Sequence, residues 1–140
     1  MDDCQQERFN NGLATALDLF SGSPELPSFP VPPEIEAEWN SFSIGVVMGE
    51  VWSRPQLAQR DRALVTIALL TATHKLEQLR TYVAVGINKG LSRSEICEAI
   101  FHTAVYAGFP CAVEGFRVAS EVFARYDERA TSTSQQEGST

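Results

Sequence analysis

The chain has 140 residues, 44% of them hydrophobic and 21% charged, the composition of a soluble globular domain with a core of its own. Its formal net charge of −7 opposes a phosphate backbone, and no Lys/Arg cluster overrides that field, so nucleic-acid binding is disfavoured. No window reaches the roughly 20 unbroken apolar residues of a membrane helix, and the polar start MDDCQQERFNNG lacks the basic end and apolar run expected of a secretory signal.

Residues 5–20 place Phe9, Leu13, Ala16, Leu17 and Phe20 at helical spacing on one face. SGSPELPSFPVPP, residues 21–33, is too rich in proline for any helix or sheet interior and reads as an extended connector. A second helix fits roughly 34–50, with Ile35, Trp39, Phe42 and Val46 three or four apart. Pro55 disfavours helical geometry at Arg54, so Trp52–Leu57 is expected to be a turn. RALVTIALLTATHK, with Asp61 just before it, is apolar on nearly all sides, as expected of a central buried helix.

LEQLRTYVAVGINKG follows, with Leu76, Leu79, Val83 and Ile87 as its stripe and Gly90 placed to end it in the left-handed conformation. LSRSEI is a capping box, Ser92 capping and Glu95 reaching back. The helix it starts carries Ile96, Ala99, Ile100, Thr103, Ala104 and Ala107 on one face. Gly108 ends that helix, and Pro110 suits the first turn of a last one, whose inner stripe is Ala112, Phe116, Ala119, Phe123 and Tyr126. ATSTSQQEGST has almost nothing to bury and reads as a disordered tail. No alternating strand pattern occurs. The reading is an all-α bundle of about six helices: a helix and connector over 1–33, a helical domain over 34–128, and a tail over 129–140.

Cys4, Cys97 and Cys111 are odd in number and widely spaced, with no Cys-x-x-Cys, which signals neither zinc nor a thioredoxin-type pair and fits a reduced, cytoplasmic compartment. His74 and His102 without a cysteine pair leave too few ligands for a metal. Glu98, His102 and Tyr106 lie one helical turn apart. A glutamate that accepts from one imidazole nitrogen fixes the tautomer, and such a pair transfers protons near neutral pH. The alternative is a half-buried histidine bonded to its own helix neighbour.

Glu77 and Arg80 are three apart. As a surface pair they contribute little, but facing a pocket they suit a substrate carboxylate. Tyr82 points to a different side from Leu79 and Val83. His74 reads as a partner for the C-terminal dipole of its helix, and Cys111 as a small buried hydrophobe or a pocket wall. Trp52 and Arg54 in the turn before Pro55 suit a planar anionic ligand, unless the indole simply plugs the bundle end.

Taken together, GEVWSRPQLAQRDRALVTIALLTA, EQLRTYVAVGINKGLSRSEICEAIFHTAVYAGFPCAVEGF and the Gly-Phe-Pro break resemble the carboxymuconolactone decarboxylase family, part of the wider alkylhydroperoxidase D-like superfamily, over roughly residues 34–126. The resemblance implies an all-helical fold, a homo-oligomer (trimer or hexamer) with active sites near subunit contacts, and lyase chemistry without a cofactor. Two departures bear on function. The peroxidase branch carries Cys-x-x-Cys on the helix that here reads LEQLRTYV, so its disulfide chemistry has no thiols here. The decarboxylase branch usually has histidine where this chain has Tyr82, while His102 matches its second histidine. Residues 1–33 also go beyond the compact family core.

The expected function is therefore a divergent, cofactor-independent decarboxylase. Its substrate would be a small unsaturated lactone or an aromatic- or polyketide-derived carboxylic acid. An isomerase or cyclase of a secondary-metabolite pathway and a non-catalytic binding protein are the alternatives, and a thiol peroxidase is disfavoured. His102 would deliver the proton, tuned by Glu98 or Glu77. Tyr82 and Arg80 would be donors to the enolate or carboxylate, and Trp52, Arg54, Tyr106 and Cys111 would shape the pocket. This places the polar faces of helices near 76–88 and 93–107 opposite each other around one dry chamber.

Overall fold

Among the described residues of this computed structural model, 2–23 and 30–139, every regular element is helical. They are α1 (Asp3–Phe20), α2 (Glu36–Asn40) continuing into a π-helix (Ser41–Val51), α3 (Gln59–Ala72), α4 (Leu76–Asn88), α5 (Arg93–Tyr106) and α6 (Phe109–Glu137). No described helix is long and apolar enough to cross a membrane. Most of the proline-rich connector, residues 24–29, lies outside the described residues.

Local chemistry sets the helix ends. Asp2 accepts from the Gln5 amide at 2.8 Å, and Gln5 returns the bond to the Asp2 amide at 3.2 Å. Ser92 and Glu95 form the same reciprocal cap on α5, at 3.0 and 3.1 Å. Gly90 (φ 93°) and Gly108 (φ 109°) occupy left-handed breaks that side chains would strain. The core is built on α4. Its Leu79, Val83, Ala84 and Val85 meet Ile67 of α3, Ile96 and Ile100 of α5, and Val118 and Val122 of α6, all essentially without solvent contact. Both α4 and α5 pack on α3 and α6, and scarcely touch each other.

The N-terminal helix docks in two ways. Along its length α1 lies on the π-helix at Gly12 and Gly49, where a Cβ on either glycine would collide with backbone of the other helix. At its C-terminal end Asn88 Nδ2 donates to the carbonyls of Leu19 (3.2 Å) and Ser21 (2.9 Å), and Asn88 Oδ1 accepts from the Tyr126 hydroxyl at 3.0 Å. Lys89 pairs with Asp18, and Arg129 donates to the Gly22 carbonyl at 2.6 Å. The carbonyls that a helix end leaves unbonded thus find donors on α4 and α6.

Four expectations change. The inner face of α1 holds Gly12 and Leu19, and Leu17 is exposed, because the glycine seam and not the apolar stripe sets the rotation of the helix. The second helix is wound as π over its C-terminal part, with Trp52 N bonding the Val47 carbonyl five residues back, and Ile35, Trp39 and Phe42 stay exposed. One side of α3, at Val65 and Leu69, is exposed among the described residues. Finally, residues 129–137 continue α6 although fully exposed. Extending a helix that is already nucleated fixes one residue per added bond, and the hydroxyls of Thr131, Ser132, Thr133 and Ser134 each bond the carbonyl four residues back at 3.0 Å.

The glycine seam gives a direct test. Gly12→Ala is expected to destabilise the fold by about 1–3 kcal/mol through overpacking, read as a lower urea midpoint. An unchanged midpoint would mean that α1 does not pack as described.

Candidate active site

Tyr82 sits on α4 where that helix faces the α1/π-helix pair. Its ring stacks on Trp52 (centroids 5.7 Å apart, planes at 25°) and meets the edge of Phe20 at 6.5 Å. Trp52, at the end of the π-helix, is buried, so the indole backs the phenol. Beside this stack is a cavity of about 330 Å³, walled by Ala16 and Phe20 of α1, Trp39 and Asn40 of α2, Ser43 and Met48 of the π-helix, and Tyr82 itself. Every lining side chain is uncharged. Burial pushes the Tyr82 hydroxyl above its ordinary pKa, so at neutral pH it is a phenol that donates.

His102 lies elsewhere. It stands at the rim of an open groove of about 600 Å³ between α3 and α5, floored by Leu64, Val65, Ala68 and Ala99 and edged by Ser92, Glu95 and Glu98. Its ring lies 5.0 Å from that of Tyr106, and both side chains are exposed, Tyr106 to 79%.

The structure thus brings Tyr82 to Trp52 and His102 to Tyr106, with Glu98 on the same groove as His102 but in no hydrogen bond to it, and Tyr82 and His102 line different cavities of the single chain. The expected common chamber needs α4 and α5 side by side, whereas α3 and α6 take up their packing faces. The expected Glu77–Arg80 pair does not form. Arg80 bonds Glu121 of α6 at 2.5 Å, and Glu121 also accepts from Arg117 at 2.9 Å. The Arg80 guanidinium is the main cause that holds the Glu121 carboxyl below its usual range. Glu77 is exposed. Arg54 is exposed too, and its carbonyl accepts from Arg62 at 3.3 Å. Cys111 lines neither cavity, because its sulfur faces His74 Nε2 at 2.9 Å.

Sequence reasoning missed Asn40, Ser43 and Phe20. Ser43 had a signal, being a lone hydroxyl inside the apolar run FSIGVVM. Phe20 had none, since its role depends on how α1 docks.

The sequence pattern of the carboxymuconolactone decarboxylase family matches residues 37–121, more than half of the chain. The chain belongs to this family. It is 31% identical over 118 residues to a 4-carboxymuconolactone decarboxylase of Acinetobacter baylyi, covering 84% of this chain and 88% of that protein. It is 34% identical over 85 residues to the nitrosuccinic acid decarboxylase npaB of Metarhizium robertsii, covering 61% of this chain and 54% of npaB. An uncharacterized 15.0 kDa protein of Paracoccus denitrificans is 32% identical over 82 residues, covering 57% of this chain and 61% of that protein. The family region starts within α2 and ends within α6, so the Ala16 and Phe20 wall of the Tyr82 cavity comes from outside it.

The raised Tyr82 pKa fixes the sign of an alkaline effect. Stability from the buried neutral phenol is present below the ordinary value of about 10 and is lost as pH rises through the higher folded value. Tyr82→Phe is expected to remove one late phenolate step from the ultraviolet titration and to lose less stability above pH of about 10 than the parent. If the step removed is an ordinary early one, the phenol is not buried as described.

Proposed function

We propose that this family member is a decarboxylase that needs no cofactor, acting on a small carboxylic acid, an unsaturated lactone or an aromatic- or polyketide-derived acid, bound in the Tyr82 cavity. The observation that carries this reading is the uncharged lining of that cavity, with three neutral polar groups, Tyr82, Ser43 and Asn40, set among aromatic and aliphatic walls. The names of two relatives support it. Each is a decarboxylase of an acid that also carries an electron-withdrawing group, a lactone in one and a nitro group in the other.

The chemistry follows from the site. A carboxylate set against Phe20, Trp39 and Met48 is less well solvated than in bulk water, which favours its departure as neutral carbon dioxide. The electron pair of the broken C–C bond moves into the adjacent unsaturated carbonyl, so the substrate is its own electron sink. Tyr82 and Ser43 donate to the resulting enolate oxygen from positions fixed by packing, the phenol being held by Trp52. Protonation at carbon completes the reaction.

His102, which shares its groove with Glu98, supplies that proton from a neighbouring copy of the chain. The surface around its groove is apolar and uncovered, with Val65, Leu69, Phe101 and Val105 (70% exposed) flanking Tyr106 and Phe109. Such a contiguous face calls for a partner. A trimer or hexamer closes it, with Tyr106 and Arg54 at the contact and Glu77 available to tune the imidazole. Arg80, already neutralised by Glu121, fixes α4 against α6.

Two measurements test this. With a panel of carboxylated unsaturated lactones and carbon dioxide release as the readout, Tyr82→Phe and His102→Ala are each expected to lower kcat by about 100- to 1,000-fold. A mixture of the two variants, dissociated and reassembled, regains activity if the groups act across a contact. Full activity in either variant removes that residue from the reaction, and no recovery on mixing removes the cross-subunit step. Light scattering is expected to give a multiple of 15.4 kDa, and Val105→Glu to shift it toward a single copy. A parent that is a single copy in solution overturns the assembly.

A further inference from the structure

At the opposite end of α3 from its first turn, two side chains that the reading above does not use are held together. His74 Nε2 lies 2.9 Å from the Sγ of Cys111. The remaining polar neighbours of the sulfur are the carbonyls of Ala72 (3.7 Å) and Ala107 (3.5 Å). His74 is the one described non-glycine residue with positive φ, 54°. It sits where α3 ends, with its amide on the Thr71 carbonyl and the Lys75 amide on the Leu70 carbonyl, a helix stop in which glycine is the usual residue. An imidazole placed there by a left-handed backbone leans over the start of α6 and onto Cys111, the third residue of that helix.

The two helix ends are of opposite polarity. The C-terminus of α3 favours a positive group and the N-terminus of α6 a negative one. The first turn of α6 has no acidic residue and no capping side chain, and Pro110 brings no N–H. Cys111 is therefore the one group in that turn able to take up negative charge. Moving the thiol proton to His74 leaves each charge at the helix end that suits it. Nucleophile and base within hydrogen-bond reach, with the base held by a third constraint, are the arrangement of an activated thiol.

We infer that Cys111 and His74 are a nucleophilic thiol–imidazole pair that adds covalently to small, uncharged α,β-unsaturated carbonyl compounds. His74 Nε2 takes the thiol proton as the sulfur forms a bond to the β-carbon. The π pair of the alkene moves toward the carbonyl as an enolate, and the imidazolium returns the proton to the α-carbon. The product is a thioether, and no oxidant or other reactant is consumed. The reagent must be small because Cys111 is 6% exposed, and uncharged because two carbonyl oxygens crowd the sulfur. The site stands apart from the decarboxylase reading, since neither residue lines the Tyr82 cavity or the His102 groove.

The test uses the full chain and acrylamide, with peptide mass spectrometry to follow Cys4, Cys97 and Cys111 separately. Cys111 is expected to label faster than Cys4, although Cys4 is exposed and Cys111 buried. His74→Asn and His74→Gly both suit the left-handed backbone and are expected to slow Cys111 by about 100-fold while Cys4 keeps its rate. Unfolding would expose the sulfur and speed labelling, so a fall in rate cannot come from lost structure. Cys111 reacting more slowly than Cys4 in the parent, or at an undiminished rate in both His74 variants, overturns the inference.

Discussion

The backbone contact between α1 and the π-helix sets the shape of the Tyr82 cavity. Gly12 and Gly49 let the two helices approach until main chain meets main chain. Asn88, Lys89 and Arg129 then tie the far end of α1 to α4 and α6. Between these two anchorages Ala16 and Phe20 are held over Tyr82, and the space left beneath them is the cavity. A bulkier seam would lift α1 and carry Ala16 and Phe20 away from Tyr82. Site and fold here rest on the same contact.

Much of the helical framework was legible because it is written in local chemistry. The Ser92/Glu95 box, Gly90, Gly108 and Pro110 each act within one helical turn, and they bound their helices as the sequence indicates. What was not legible depends on which surfaces meet. The stripe Ile35, Trp39, Phe42 resembles a buried face, yet among the described residues each of the three is about half exposed. Arg80 is as close in sequence to Glu77 as a pair can usefully be, but Glu121 reaches it from α6. Tyr82 and His102 both stood out as off-stripe polar residues. Their assignment to one chamber assumed that α4 and α5, consecutive in the chain, were also adjacent in space, and helix order does not imply that. His74 looked like a dipole partner, and only the backbone angle and the 2.9 Å contact to Cys111 give it a second meaning.

Charge is distributed in a way that suits removal of a carboxylate more than its capture. Arg8–Glu50, Arg93–Asp127 and Arg117–Glu114 are ion pairs at the surface, where each contributes little to stability. On α4 the half-buried guanidinium of Arg80 is bonded to Glu121, so its positive charge is already paired. A cation placed in the cavity would hold the substrate carboxylate more tightly than the transition state, in which that charge is leaving. Interactions that favour the ground state in this way slow the chemical step. Neutral donors have the opposite bias, because they strengthen as charge gathers on the enolate oxygen.

The same logic bears on Tyr82, where the family resemblance implies a histidine. Within an uncharged cavity an imidazole has two states, one of which would bring the positive charge the site otherwise lacks. A phenol whose ionisation is pushed upward by burial has a single state throughout the neutral range. It donates and never competes for the proton. In the proposed reaction the proton comes from outside the cavity, and His102 is exposed beside the apolar side chains of Phe101 and Val105. In the proposed mechanism, dividing the work between a shielded donor and a surface imidazole requires assembly.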